Sequence, residues 1–173
     1  MNNSKLYLIT DVEGFTPQIG RLVSMMNYVR QTTLKEVTEL TIGQLDHLLD
    51  EESNSIGALL SHIAAVEVSY QVATFGLDEG ELERWKASLN LGERARREIR
   101  GHGIDYYLKL LEEVRRRTLE ELARRDDDWL YEERPFWGGH PANNYFQWFH
   151  VIEDELNHRG QIRLLRKRLP ASV

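Results

Sequence analysis

Two histidines and an aspartate in this chain have the types and spacing of a metal-ligand set. His150, Asp154 and His158 recur every four residues, and Gln161 follows three residues later. Residues four apart share one helix face, with Cβ atoms about 5–6 Å apart, so an Asp–His pair can hold one ion from a single helix. His62 stands three residues after Leu59 and four before Val66, on or beside an apolar stripe. Taken singly, a histidine on such a stripe is more often a hydrogen-bonded structural residue, and an isolated D-x-x-x-H is more often a surface ion pair. The two features together favour a ligand set of His62, Asp154 and His158. His150 complicates it, because Asp154 can pair with either histidine. Positions 150 and 158 lie about 12 Å apart along a helix axis, too far for both to reach one ion easily. His150 is therefore expected behind the ligands or along the cavity.

The chain has no cysteine. Thiolate metal sites, disulfides and cysteine nucleophiles are excluded, and His, Asp and water suit a divalent ion, zinc or nickel first, then iron or manganese. Three protein ligands leave positions for water or a substrate, so the chemistry offered is water activation or thiolate activation. Glu67 is a candidate general base, as is His150. Glu67 lies five residues past His62, about 140° around a helix, which fits a partner for an arginine on a neighbouring helix better. His140, Trp137 and Asn144 precede or begin the last helix and are candidates for the mouth of the site, and so is His102 between two glycines. His47 has no evident partner. Ser61 and Ser69 have no spacing-based link to a base, and there is no G-x-S-x-G, P-loop or dinucleotide fingerprint.

These residues need helices to position them, and the pattern supplies four long ones. Thr16-Pro17 reads as a cap followed by proline at the first helical position, with Ile19, Leu22, Val23, Met26 and Val29 behind it. Thr41 to Leu49 reads as a short connecting helix. A second long helix is expected over Ser55–Thr74, stopped at Gly76. Leu77 to Gly103 is polar and glycine-broken, and reads as a surface connector with a short helix near Glu81–Leu89. Further long helices are expected over Ile104–Arg124 and Asn143–Lys167, with a hairpin or lid at Trp129–Gly139 between them. The fold class is all-α: one domain over residues 1–173, a four-helix bundle with one long crossover.

The 173 residues are 41% hydrophobic and 29% charged, with a net charge of −6. That composition fits a soluble globular chain and gives no basic surplus for nucleic acid. Arg115, Arg116 and Arg117 sit among Glu112, Glu113, Glu120 and Glu121, which reads as a salt-bridged exposed helix face. Met1 to Thr10 has no signal-peptide character and no stretch approaches eighteen apolar residues, so a cytoplasmic location without a membrane span is expected.

The segment from His150 to Ile162, containing Asp154, His158, Arg159, Gly160 and Gln161, resembles the final-helix motif H-x-x-x-H-R-G-Q of the DinB/YfiT-like superfamily. Ser55 to Glu67, with His62, resembles its second-helix motif, and motif order, separation and chain length also fit. The resemblance implies a four-helix bundle with one long crossover and a metal triad that falls on His62, Asp154 and His158. The chain departs from the commoner pattern at Asp154, where the family usually has histidine. The resemblance further implies a metal-dependent hydrolase or thiol S-transferase, a small-molecule substrate such as a low-molecular-weight thiol, and a homodimer. Against these enzyme readings stands a non-catalytic bundle that binds a ligand or partner, which the change at Asp154 keeps open.

Overall fold

The computed structural model describes residues 6–170, so the ends of the expected domain, residues 1–5 and 171–173, lie outside the described residues. Four long helices carry the structure: α1 (Pro17–Val37), α3 (Ile56–Phe75), α6 (Ile104–Leu122) and α7 (Asn144–Arg166). Short helices α2 (Ile42–Asp46), α4 (Lys86–Asn90) and α5 (Gly92–Glu98) lie between them. A two-stranded antiparallel hairpin, β1 (Glu133–Pro135) with β2 (Pro141–Asn143), precedes α7, in register Arg134 opposite Ala142. The expected all-α bundle is present, and the aromatic segment before the last helix supplies this one hairpin.

Local chemistry sets the helix ends. Ser55 accepts from the Ala58 amide to start α3, and Gly76 ends it with φ +74°, a left-handed turn that glycine adopts without steric cost. Asn143 accepts from the Phe146 amide at the start of α7. The expected cap of α1 is different. Thr16 makes no capping bond; its hydroxyl donates to Asp127 Oδ1 at 2.5 Å, and that carboxylate accepts from the amides of Gln18 and Ile19. An acid 110 residues away in sequence thus satisfies the helix start, since a carboxylate meets orphan amides and the positive dipole end together.

α3 packs between α6 and α7, and α1 closes the other side against the same two helices. Gly57 meets Tyr107, Glu67 meets Arg115 and Gln71 meets Thr118, so α3 and α6 run parallel. A Cβ at Gly57 would sit 2.5 Å from the Tyr107 hydroxyl, so only glycine permits this approach. Parallel neighbours require a connection that returns along the bundle, and residues 77–103 make it. This crossover is more than surface. Trp85, Ala95 and Ile99 are buried in the core with Leu59, Leu60, Ile63 and Val68. Each such large side chain contributes about 1.5–3 kcal/mol on burial.

α3 is the central helix, buried on nearly every side. By length and mean apolar content it could cross a membrane, although Ser61, His62, Glu67, Ser69 and Gln71 interrupt its apolar run. Of its most apolar eighteen-residue window, 83% is buried within the bundle, as the core helix of a packed protein requires.

Candidate metal centre

α3 and α7 run antiparallel, with His62 beside Asp154 and, two turns along α3, Tyr70 beside His150. The first rung brings together His62, Asp154 and His158, whose candidate ligand atoms all lie within 4.8 Å of one another. His62 Nε2 is 3.6 Å and His158 Nε2 3.3 Å from Asp154 Oδ1. The two imidazole rings meet edge to face, with centroids 4.7 Å apart. Between 12 and 14% of each side chain is exposed, so the set is shielded yet reachable.

The remaining ring nitrogens are both held. His62 Nδ1 lies 2.7 Å from the Ser88 carbonyl oxygen, and His158 Nδ1 lies 2.9 Å from Gln161 Oε1. Both oxygens can only accept, so each Nδ1 carries a proton, and in the neutral ring each Nε2 keeps its lone pair toward the cluster. Fixing ring orientation and tautomer this way is what metal-binding histidines require. Burial would raise the Asp154 carboxyl, but with the Nε2 atoms also protonated, hydrogen bonding and charge from His158 and His62 hold it down at about 2. Burial would lower His158, and Asp154 with Gln161 reverses this and raises it. Asp154 Oδ2 is buried with no hydrogen-bond partner among the described residues. A buried carboxylate with one oxygen unpartnered and the other beside both Nε2 atoms fits a divalent cation, which would satisfy these donors together. Two nitrogens and one carboxylate form a donor set that can hold a metal ion.

His150 stands outside this set, as expected. Its Nδ1 is 3.2 Å from the Tyr70 hydroxyl, and Trp137 meets its ring edge to face at 5.1 Å. Glu67 lies in a buried network that draws one residue from each long helix: Arg30, Glu67, Arg115 and Glu155. Arg115 Nε donates to Glu67 Oε1 at 2.7 Å and Arg30 Nη2 to Glu67 Oε2 at 3.0 Å. Arg30 Nε donates to Glu155 Oε1 at 3.0 Å, and Thr118 adds a bond to Glu67 at 2.6 Å. Burial would raise the Glu67 carboxyl, but the two arginines hold it at about 2. With both oxygens engaged by cations, Glu67 takes the arginine-partner role rather than that of a base.

Several expectations change here. Arg115 is buried and 7% exposed, so the run Arg115–Arg117 is not one solvated face. Arg116 pairs with Glu120 and Arg117 with Glu81, as surface ion pairs do. Asn144 is fully buried and donates to the Trp129 carbonyl, which anchors the start of α7 rather than lining a mouth. His140 is exposed beyond the hairpin turn, and His102 stacks on Tyr106 at 4.0 Å near the start of α6. His47 is the residue that ends α2. Ser61 bonds Ser88 at 2.7 Å, which steadies the segment that holds His62, and Ser69 bonds the Val66 carbonyl. Sequence reasoning missed Ser88, Tyr70, Arg30 and Glu155. A backbone acceptor such as Ser88 leaves no sequence signal. Arg30 and Glu155 do leave one, because each replaces an apolar residue at the register of Met26 and Ile152.

The family model described as mycothiol-S-transferase matches residues 21–171. Among solved structures, a DinB-like protein from Bacillus cereus superposes with a TM-score of 0.66 at 19% identity, over 86% of this chain and 90% of that one. A conserved protein from Enterococcus faecalis superposes with a TM-score of 0.69 at 15% identity, over 84% of this chain and 93% of that one. At these identities the two structures establish the shared fold. No curated protein matches the sequence.

Proposed function

The chain belongs to the mycothiol-S-transferase family, and from that premise we propose that it is a metal-dependent thiol S-transferase, joining the sulfur of a low-molecular-weight thiol to a carbon electrophile. The observation that carries the reading is the convergence of His62, Asp154 and His158 with both Nδ1 atoms tied back to acceptors. His62, Asp154 and His158 would hold the ion, zinc or nickel by donor type. A divalent ion bound there supplies Lewis acidity that favours a thiolate over a thiol at neutral pH.

The chain's own residues do the rest. Asp154 remains a carboxylate at any physiological pH and offsets part of the cation's charge. Ser88 and Gln161 keep the two imidazoles from rotating. In the reaction the thiol gives up its proton and the sulfur pair forms the S–C bond. The electrons of the broken bond leave with the leaving group, or settle on a conjugated oxygen that takes up a proton. Low-molecular-weight thiols are kept reduced in the cytoplasm, the location this reading requires.

Mycothiol, bacillithiol, cysteine and glutathione should be tested with a haloalkane and a conjugated carbonyl electrophile, with ester and amide substrates beside them. Thiol-dependent turnover that His158→Ala reduces by at least a hundredfold supports transfer. Ester or amide cleavage without any thiol requirement would instead support hydrolysis, and activity unchanged in His62→Ala would contradict the site.

A further inference from the structure

One turn along α7 from Asp154, about 6 Å up the axis, the Tyr70–His150 pair forms a second polar rung across the α3–α7 contact. Val66, 9% exposed, lies on α3 midway between His62 and Tyr70. The hairpin lies against this second rung. Trp137 at its tip packs edge to face on His150, while 66% of its surface remains exposed. Phe146, 44% exposed, has its ring centroid 6.4 Å from that of His150. Trp137 stacks on Phe136 at 4.7 Å, and Phe136 in turn stacks on Tyr70, so the hairpin holds the tryptophan beside the histidine–tyrosine pair while most of the indole stays open to solvent.

Counting protons shows what the pair offers. A neutral tyrosine and a neutral histidine carry one O–H and one N–H between them, and a single hydrogen bond joins them. If Tyr70 donates to Nδ1, then Nε2–H of His150 is free. If Nδ1–H donates to Tyr70, then the Tyr70 O–H is free. Either way one donor remains for an outside acceptor, beside an aromatic wall. Burial, together with the nearby Asp154 and Glu153, raises the Tyr70 phenol to about 12, so it keeps its proton.

From this juxtaposition we infer that Tyr70, His150, Trp137 and Phe146 form a binding subsite for a planar, conjugated carbonyl compound, whose flat face lies on Trp137 and whose oxygen accepts the free proton of the Tyr70–His150 pair. The inference rests on the thiol-transfer reading only for the statement that this compound is the electrophile. His150 lies one helical turn from Asp154 and Tyr70 two turns from His62, so the subsite adjoins the proposed metal ligands.

Binding can be read without turnover. The chain has no cysteine, so a conjugated ketone added alone has no protein thiol to react with. Benzalacetone and trans-β-methylstyrene, which has a similar planar skeleton but lacks the carbonyl, should be titrated calorimetrically into the zinc-loaded full chain. Tyr70→Phe should weaken benzalacetone about fivefold to tenfold, the worth of one hydrogen bond, and leave methylstyrene unchanged. Trp137→Ala removes an exposed ring, so folding should be unaffected, and should weaken both ligands about fivefold. No binding of benzalacetone to the wild type would overturn the subsite, as would equal affinities across wild type and Trp137→Ala. If the variants behave as expected and no thiol is transferred to benzalacetone or to a haloalkane, the subsite stands and the transfer reading falls. If thiols are transferred to simple haloalkanes while benzalacetone binding ignores both substitutions, transfer stands and the subsite falls.

Discussion

His62 Nδ1 lies 2.7 Å from the carbonyl oxygen of Ser88, so the crossover between α3 and α6 orients one member of the proposed ligand set. The other histidine is oriented from within its own helix, by Gln161. The two supports differ in how they can be tested. A backbone carbonyl survives side-chain substitution, whereas the Gln161 amide can be removed.

Gln161→Ala should therefore lower metal affinity about tenfold, at the lower end of what loss of such a support costs. Gln161 is exposed, so the melting temperature of the metal-free protein should stay within a degree or two. Competition titration with a zinc chelator measures the affinity. An unchanged zinc affinity would mean that Gln161 does not set the His158 ring.

The buried network should dominate stability. Removing one member strands a charge, and breaking a buried pair costs about 3–5 kcal/mol. Glu67→Gln should approach that loss in denaturant unfolding, although Glu67 touches no metal ligand in the hydrogen-bond network. The pH dependence has a definite sign. The Glu67 carboxyl is depressed from 4.5 to about 2, so its contribution is complete above about 4.5 and is lost as pH falls toward 2. Melting temperature measured from pH 6 to pH 2 should fall less steeply in Glu67→Gln than in the wild type.

Metal binding should release a proton from His158. Asp154 raises the His158 pKa above the usual histidine value. Below that raised pKa the proton competes with the cation, and above it competition ends. Zinc affinity should thus fall as pH drops through the histidine range, with calorimetric proton release in buffers of different ionisation enthalpy. A flat affinity from pH 8 to pH 5.5 would show that His158 is not a ligand.

Much of this arrangement could be read from residue spacing. The four long helices, the return connection and the set His62, Asp154 and His158 all follow from 3.6-residue periodicity and the polar residues that interrupt it. What could not be read depends on contacts between distant segments. Asp127 caps α1 across the bundle, and Ser88 reaches His62 through its backbone; neither leaves a local pattern. Arg115 misleads because its neighbours Arg116 and Arg117 form the surface pairs that its own sequence context suggests. Its burial becomes intelligible only with Glu67 and Glu155 facing it from two other helices, since a guanidinium enters a core only where carboxylates meet it.

The decisive measurement is metal content. Protein purified without a metal-affinity tag should carry, or take up from added zinc or nickel, one divalent ion per chain by mass spectrometry of the inductively coupled plasma. His62→Ala and His158→Ala should each lose that ion while keeping the helical circular dichroism of the wild type. Absence of stoichiometric metal from the wild type, with no uptake of either added ion, would contradict the metal centre and the reaction built on it.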